Sequence, residues 1–227
     1  MKGFITLFLL SAILPAQAGV VIYGTRVIYP ADKKEITVQL MNQSPRTSLV
    51  QSWIDDGDSS LPPEKIHVPF VLSPAIVRVS ANSGQQIKIK QTPNMLPANK
   101  ESLFYLNVLD IPPNSSSESN TSVLKLAMQN RVKLFYRPKG IAGISDKTFS
   151  QLEITRRDNQ PFITNNTANW VTITAIKTAN IQVNNDSVML APFSKQVLSL
   201  KNILTSSYSL TIIDDSGNTI SHKLSVK

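Results

Sequence analysis

Apolar residues recur at every second position in this chain, segment after segment, and almost nowhere at the spacing of a helix. Ile36, Val38 and Leu40 alternate with polar neighbours in "EITVQL", and Ile87 and Ile89 do so in "QQIKIK". "LFYLNVLDI", "VLKLAMQ", "QLEITRR", "NWVTITAI" and "YSLTIID" keep the period and are rich in β-branched and aromatic residues, which suit a pleated, half-buried surface. Turn clusters such as "DDGDSS", "SANSG", "PPNSSSESN", "RDNQP" and "DDSGN" separate them. Many short strands with regular turns predict an all-β chain of β-sandwiches.

The chain divides most naturally at "RPKGIAGISDK", where Pro138 ends a strand-like run and Gly140 and Gly143 bracket a short connection. Residues 19–140 and 141–227 then each fall in the size range of one sandwich. Residues 1–18 read differently. Lys2, an apolar run from Phe4 to Leu14 and small residues at Ala16 and Ala18 have the form of a secretory signal cut between Ala18 and Gly19. The run is shorter than the ~20 residues a bilayer-spanning helix needs. The Ser/Asn-rich stretch from Asn114 to Ser122 reads as a loop.

Cysteine is absent from all 227 residues, so disulfides, thiol catalysis and Cys-based metal sites are excluded. The formal net charge is +8, yet only Lys33–Lys34 and Arg156–Arg157 are adjacent cations. No basic stripe with interleaved aromatics appears, which argues against nucleic acid and leaves acidic or carboxylate-bearing partners open. His67 and His222 have no acidic neighbours at metal-ligand spacing. "DDGD" at Asp55 to Asp58 begins like a calcium loop but lacks the later spaced carboxylates; a turn accounts for it. There is no phosphate loop, nucleophile elbow or framed pair of acids. The expectation is a non-enzyme without metal or cofactor.

"RVKLFYRPKG" is unusual. Val132, Leu134 and Tyr136 alternate as a half-buried strand, and Arg131, Lys133 and Arg137 fill the other face. Three cations on one strand are either solvated or hold an anion. Upstream, Leu124, Leu126 and Met128 of "SVLKLAMQ" share one face. Alternation alone fits equally a strand facing its own core. Counting in twos from Leu124 reaches Leu134, so Lys133 lies on the face opposite that row unless a bulge or twist intervenes.

Five segments in order resemble the periplasmic pilus chaperones of the chaperone–usher pathway: "GTRVIYPADKKEITVQLMNQ", "SLVQSWIDDGD", "PFVLSPAIVRVSANSGQQIKI", "LPANKESLFYLNVLDIPP" and "RVKLFYRP". They cover nearly all of the first domain, with "IIDDSG" the best match in the second. The short 113–122 stretch and the absence of cysteine resemble the short-loop subclass. The resemblance implies two immunoglobulin-like domains in an L or boomerang arrangement, a periplasmic location, and two partners, pilus subunits and an outer-membrane usher. It implies that Leu124, Leu126 and Met128 form a donor strand that fills a subunit's apolar groove by β-augmentation. Burying three such side chains is worth roughly 4–9 kcal/mol before association costs. It also implies that Arg26 and Lys133 bind the subunit's terminal carboxylate, and that Glu101, Arg137 and Asp215 link the two domains. As surface ion pairs these last three contribute little. Whether the unloaded protein self-associates over its donor strand stays open. The rival expectations are an exported pilin-like subunit, which usually carries a cysteine pair, and a carbohydrate-binding sandwich. The latter wants clustered loop aromatics, whereas Trp53 and Trp170 sit in strand-like runs.

Overall fold

A computed structural model describes residues 19–113, 126–201 and 205–227. The expected signal (1–18), the Ser/Asn-rich loop and Leu124 lie outside the described residues.

Among the described residues, nine strands make the first unit: β1 (Val20–Ile22), β2 (Arg26–Pro30), β3 (Glu35–Asn42), β4 (Ser48–Asp55), β5 (Phe70–Ser73), β6 (Ile76–Val79), β7 (Gly84–Gln91), β8 (Ser102–Ile111) and β9 (Met128–Arg137). They form two sheets, ordered β1-β3-β7-β5 and β2-β9-β8-β4-β6. Alternation drives the packing. Val27 and Tyr29 of β2, Val38 and Leu40 of β3, Ile87 and Ile89 of β7, and Leu134 and Tyr136 of β9 all enter one buried core. Tyr29, Phe70, Phe104 and Tyr136 meet there as an aromatic cluster, with ring centroids 5.0–6.2 Å apart.

Among the described residues, eight strands make the second unit: β10 (Leu152–Arg157), β11 (Gln160–Asn165), β12 (Val171–Thr178), β13 (Ile181–Gln182), β14 (Val188–Leu190), β15 (Ser194–Val197), β16 (Ser207–Ile213) and β17 (Thr219–Ser225). One sheet runs β10-β11-β15; the other runs β13-β12-β16-β17, with β14 also on β12. Phe149, Ile154, Ile163, Ile173, Tyr208, Leu210 and Ile212 belong to a separate core. Two cores with a connection at residues 138–145 describe two sandwiches. Helix among the described residues amounts to the 3-10 turns Pro63–Lys65 and Asp146–Gln151.

Two strand expectations shift. Among the described residues of "VLKLAMQ", Met128 and Gln129 lie in a strand, and Leu126 and Ala127 precede β9. Trp170 lies just before β12 rather than within it.

Candidate functional site: a cation pair beside an open strand edge

β2 pairs with β9 in parallel, and its register begins at Arg26↔Lys133 and ends at Pro30↔Arg137. On its other side β9 pairs with β8 along its length, from Asp110↔Met128 to Ser102↔Tyr136. Among the described strands, residues 128–132 of β9 therefore have a neighbour on one side only. The other side presents unpaired backbone N–H and C=O groups, the usual template for an added strand.

The β8–β9 register runs without a shift from Met128 to Tyr136. No bulge between Met128 and Lys133 reconciles them; these two residues lie on opposite faces of β9. Met128, Asn130, Val132, Leu134 and Tyr136 share the core-side face. Leu134 and Tyr136 are in the core, and Val132 packs against it. Met128 lies past the covered part of the sandwich and is 62 % exposed, and Leu126 is 66 % exposed. Neither is part of this chain's own core, so the core-facing alternative does not describe these two residues.

Arg131, Lys133, Phe135 and Arg137 take the other face, and the two arginines have acid partners. The Arg131 guanidinium lies 3.7 Å over the Tyr105 ring, and its Nε donates to Asp55 Oδ2 at 3.1 Å. Asp55 also accepts from Asn107 Nδ2 at 2.6 Å and from the Gly57 N–H at 2.8 Å. Burial pushes the Asp55 carboxyl up, but the bonds from Arg131, Asn107 and Gly57 outweigh it and hold the carboxyl below its ordinary range. "DDGD" thus makes a turn whose first carboxylate carries a strand cation. Sequence reasoning missed this pair; its signal was the surplus cation on β9 opposite an acid-rich turn.

Arg137 joins the domains. Its Nε donates to Glu101 Oε1 at 2.6 Å, and Nη1 and Nη2 donate to Asp215 Oδ2 and Oδ1 at 2.5 and 2.7 Å. Glu101 also accepts from Asn169 Nδ2 at 3.2 Å and the Trp170 N–H at 2.8 Å, both of the second unit. Burial lowers the basicity of Arg137, and its bonds to Asp215 and Glu101 more than restore it. Glu101 is 3 % exposed. These are not the surface pairs expected from sequence: Ala168 O also accepts the Glu101 backbone N–H at 2.8 Å, which draws the carboxylate into the junction. Gly143 is needed beside it, because a Cβ there would stand 2.2 Å from Asp215 Oδ2.

Lys133 and Arg26 stand apart from these pairs. Lys133 is half-buried and, among the described residues, forms no ion pair. Burial lowers its pKa, and the adjacent Arg26 charge lowers it further. Arg26 Nη1 donates to the Ile213 carbonyl of the second unit at 3.3 Å, its guanidinium lies 5.8 Å from the Phe135 ring centroid, and its buried Nε has no partner among the described residues. Burial depresses Arg26 as well, against the raising influence of Asp215, Asp214 and Glu101. Two desolvated like charges side by side, with donors to spare, suit a carboxylate that can take charge-assisted bonds from both.

Residues 19–142 match the family described as "Pili and flagellar-assembly chaperone, PapD N-terminal domain", and residues 147–224 match "Pili assembly chaperone PapD, C-terminal domain". The chain is 57 % identical to the probable fimbrial chaperone YehC of Escherichia coli (strain K12), over 99 % of this chain and 94 % of YehC. The crystal structure of the Pseudomonas aeruginosa CupB2 chaperone superposes with a TM-score of 0.78 at 30 % identity, over 91 % of this chain and all of that one. The Salmonella enterica SafA pilin–SafB chaperone structure superposes at 0.80 over 93 % of this chain and 98 % of that one; at 22 % identity this is a likeness of fold. With both sandwiches matched in order and a relative aligned nearly end to end, the chain belongs to the pilus-assembly chaperones, a family of two immunoglobulin-like domains whose members are not enzymes.

Proposed function

We propose that this chain is exported to the periplasm by residues 1–18 and captures pilus subunits by donor-strand complementation. Leu124, Leu126 and Met128 fill a subunit's apolar groove, Arg26 and Lys133 hold its C-terminal carboxylate, and the loaded complex is handed to an outer-membrane usher. The observation that carries this reading is the coincidence of two features at one point. The exposed edge of β9 ends at Val132, and the cation pair without an acid partner begins at Lys133. A strand laid along that edge gains main-chain bonds and apolar contact; an anchored end fixes its register. The Glu101–Arg137–Asp215 network is assigned the task of holding the two sandwiches so that Arg26 and Lys133 stay at their junction.

The test is a tagged pull-down from periplasm with the neighbouring exported proteins co-expressed, wild type and Lys133→Ala in parallel. A stoichiometric partner with the wild type that is lost with the variant is expected. A partner indifferent to the substitution removes the carboxylate anchor. Usher delivery is tested separately, by asking whether the loaded complex but not the empty protein binds the usher's periplasmic part.

A further inference from the structure

Asp110, near the end of β8, is 7 % exposed. Its Oδ2 accepts the Val20 N–H at 2.9 Å. Its Oδ1 is buried and has no hydrogen-bond partner among the described residues, and no ion pair among them involves this carboxylate. A buried carboxylate with one oxygen unmatched is costly and calls for a partner.

Gly19 lies directly against that carboxylate. A Cβ on Gly19 would stand 2.3 Å from Asp110 Oδ2, so a hydrogen of the Gly19 Cα faces the acid, and the Gly19 nitrogen is one ~1.46 Å bond from that Cα. The segment is well fixed: Gln43 N–H donates to Gly19 O at 3.1 Å, Val20 pairs with Asn42 of β3, and Asn130 Nδ2 of β9 donates to Val20 O at 2.9 Å. The family match also begins at residue 19.

We propose that Asp110 is the receptor for the α-ammonium of Gly19, a group formed only when the Ala18–Gly19 bond is cut. This rests on the export reading given above. Before the cut, Gly19 nitrogen is a neutral amide with one N–H. Hydrolysis breaks the C–N bond, takes up one water, leaves a carboxylate on Ala18 and puts three N–H donors and a positive charge on Gly19. An α-amine is charged at neutral pH, with an ordinary pKa of about 7.7–8.0. It supplies the charge and the donors that the Asp110 carboxylate lacks. The pair pins β1 beside Asn130 and Met128, and Met128 is Asp110's register partner. Leader removal therefore completes the wall at the start of the open edge of β9.

The test begins with the intact mass of protein purified from periplasm, which must place the first residue at Gly19. That protein is then compared with one retaining Gln17 and Ala18, each with Asp110 and with Asp110→Asn. The extension is expected to lower the melting temperature by on the order of 5 °C in the Asp110 background and to change little with Asp110→Asn. The Gly19 amine of the wild type should also resist acetic anhydride at least tenfold longer than exposed lysines, a readout that holds even if Asp110→Asn fails to fold. A different first residue overturns both the cut site and this inference. A Gly19 start with additive effects and a freely acetylated amine overturns this inference alone and leaves the export reading standing.

Discussion

Arg26 and Lys133 are register partners at the first rung of the parallel β2–β9 pair, two desolvated cations set side by side. Of the acids that act on Arg26, Asp215 and Glu101 are bonded to Arg137, and Asp214 accepts the backbone N–H groups of Ser216 and Asn218. Lys133 consequently strains the free protein. Lys133→Met should raise its stability by on the order of 0.5–1 kcal/mol, a modest figure because the group is only half-buried, while abolishing subunit capture. Thermal melts and the pull-down read the two effects; a destabilised variant would contradict the account.

The lowered pKa of Lys133 gives a pH signature. In the unfolded chain the amine titrates near its ordinary 10.5, and folding moves it down. Between the lowered value and 10.5 the unfolded state binds more protons, so this group's contribution to stability rises with pH. Capture should weaken across the same window as the ammonium is lost. The stability slope should vanish in Lys133→Met, measured by denaturant titration, and the loss of capture is read on the wild type by binding from neutral pH to pH 10.

Leu126 and Met128 should separate folding from binding. Both are well exposed, so Leu126→Glu and Met128→Glu should change free-protein stability by no more than about 0.5 kcal/mol. Capture of a subunit should fall at least tenfold with either, a loss of about 1.4 kcal/mol or more. Cooperative unfolding of the free variants would return these residues to the core.

Arg137→Ala leaves the nearly buried Glu101 carboxylate without its guanidinium and Asp215 without its bidentate partner. A loss of ~3 kcal/mol is expected, together with separation of the calorimetric trace into two transitions as the sandwiches uncouple. Asp215→Asn should cost less, because the Asp215 side chain is 31 % exposed.

Asp55→Asn tests the support beneath β9. The folded carboxyl sits below its ordinary value of 3.8, so its contribution is present above that pH and disappears as pH falls further. The variant should be about 2 kcal/mol less stable at pH 7, with the gap closing below pH 3.8. A gap unchanged at pH 3 would mean that packing, not charge, explains it.

Period-two alternation was enough to place β3, β7, β8 and β16, because each has one face in a core and the pattern is local. Pro138 follows directly on Arg137, the last residue of β9. Other features depend on chain segments far apart. Glu101 read as a surface acid because nothing near it signals that Asn169 and Trp170 close over it, 68 and 69 residues on. Asp55 read as a turn residue because its cation is 76 positions away. The alternation of "VLKLAMQ" could not say whether its apolar face meets its own core or another molecule. That depends on how far the opposing sheet extends, and Met128 lies beyond it.

The late start of β2 has a directional consequence. β2 occupies the track alongside β9 only from Arg26 onward and runs the same way as β9. A guest strand using the vacant stretch beside residues 128–132 enters the same track, and β2 is its buffer stop. If the guest's terminal carboxylate rests on Arg26 and Lys133, its polarity is already decided: guest, β9 and β2 all point one way, with the guest's last residue facing the first residue of β2. The chaperone then acts as a ruler as well as a lid, measuring every guest from its final residue backward.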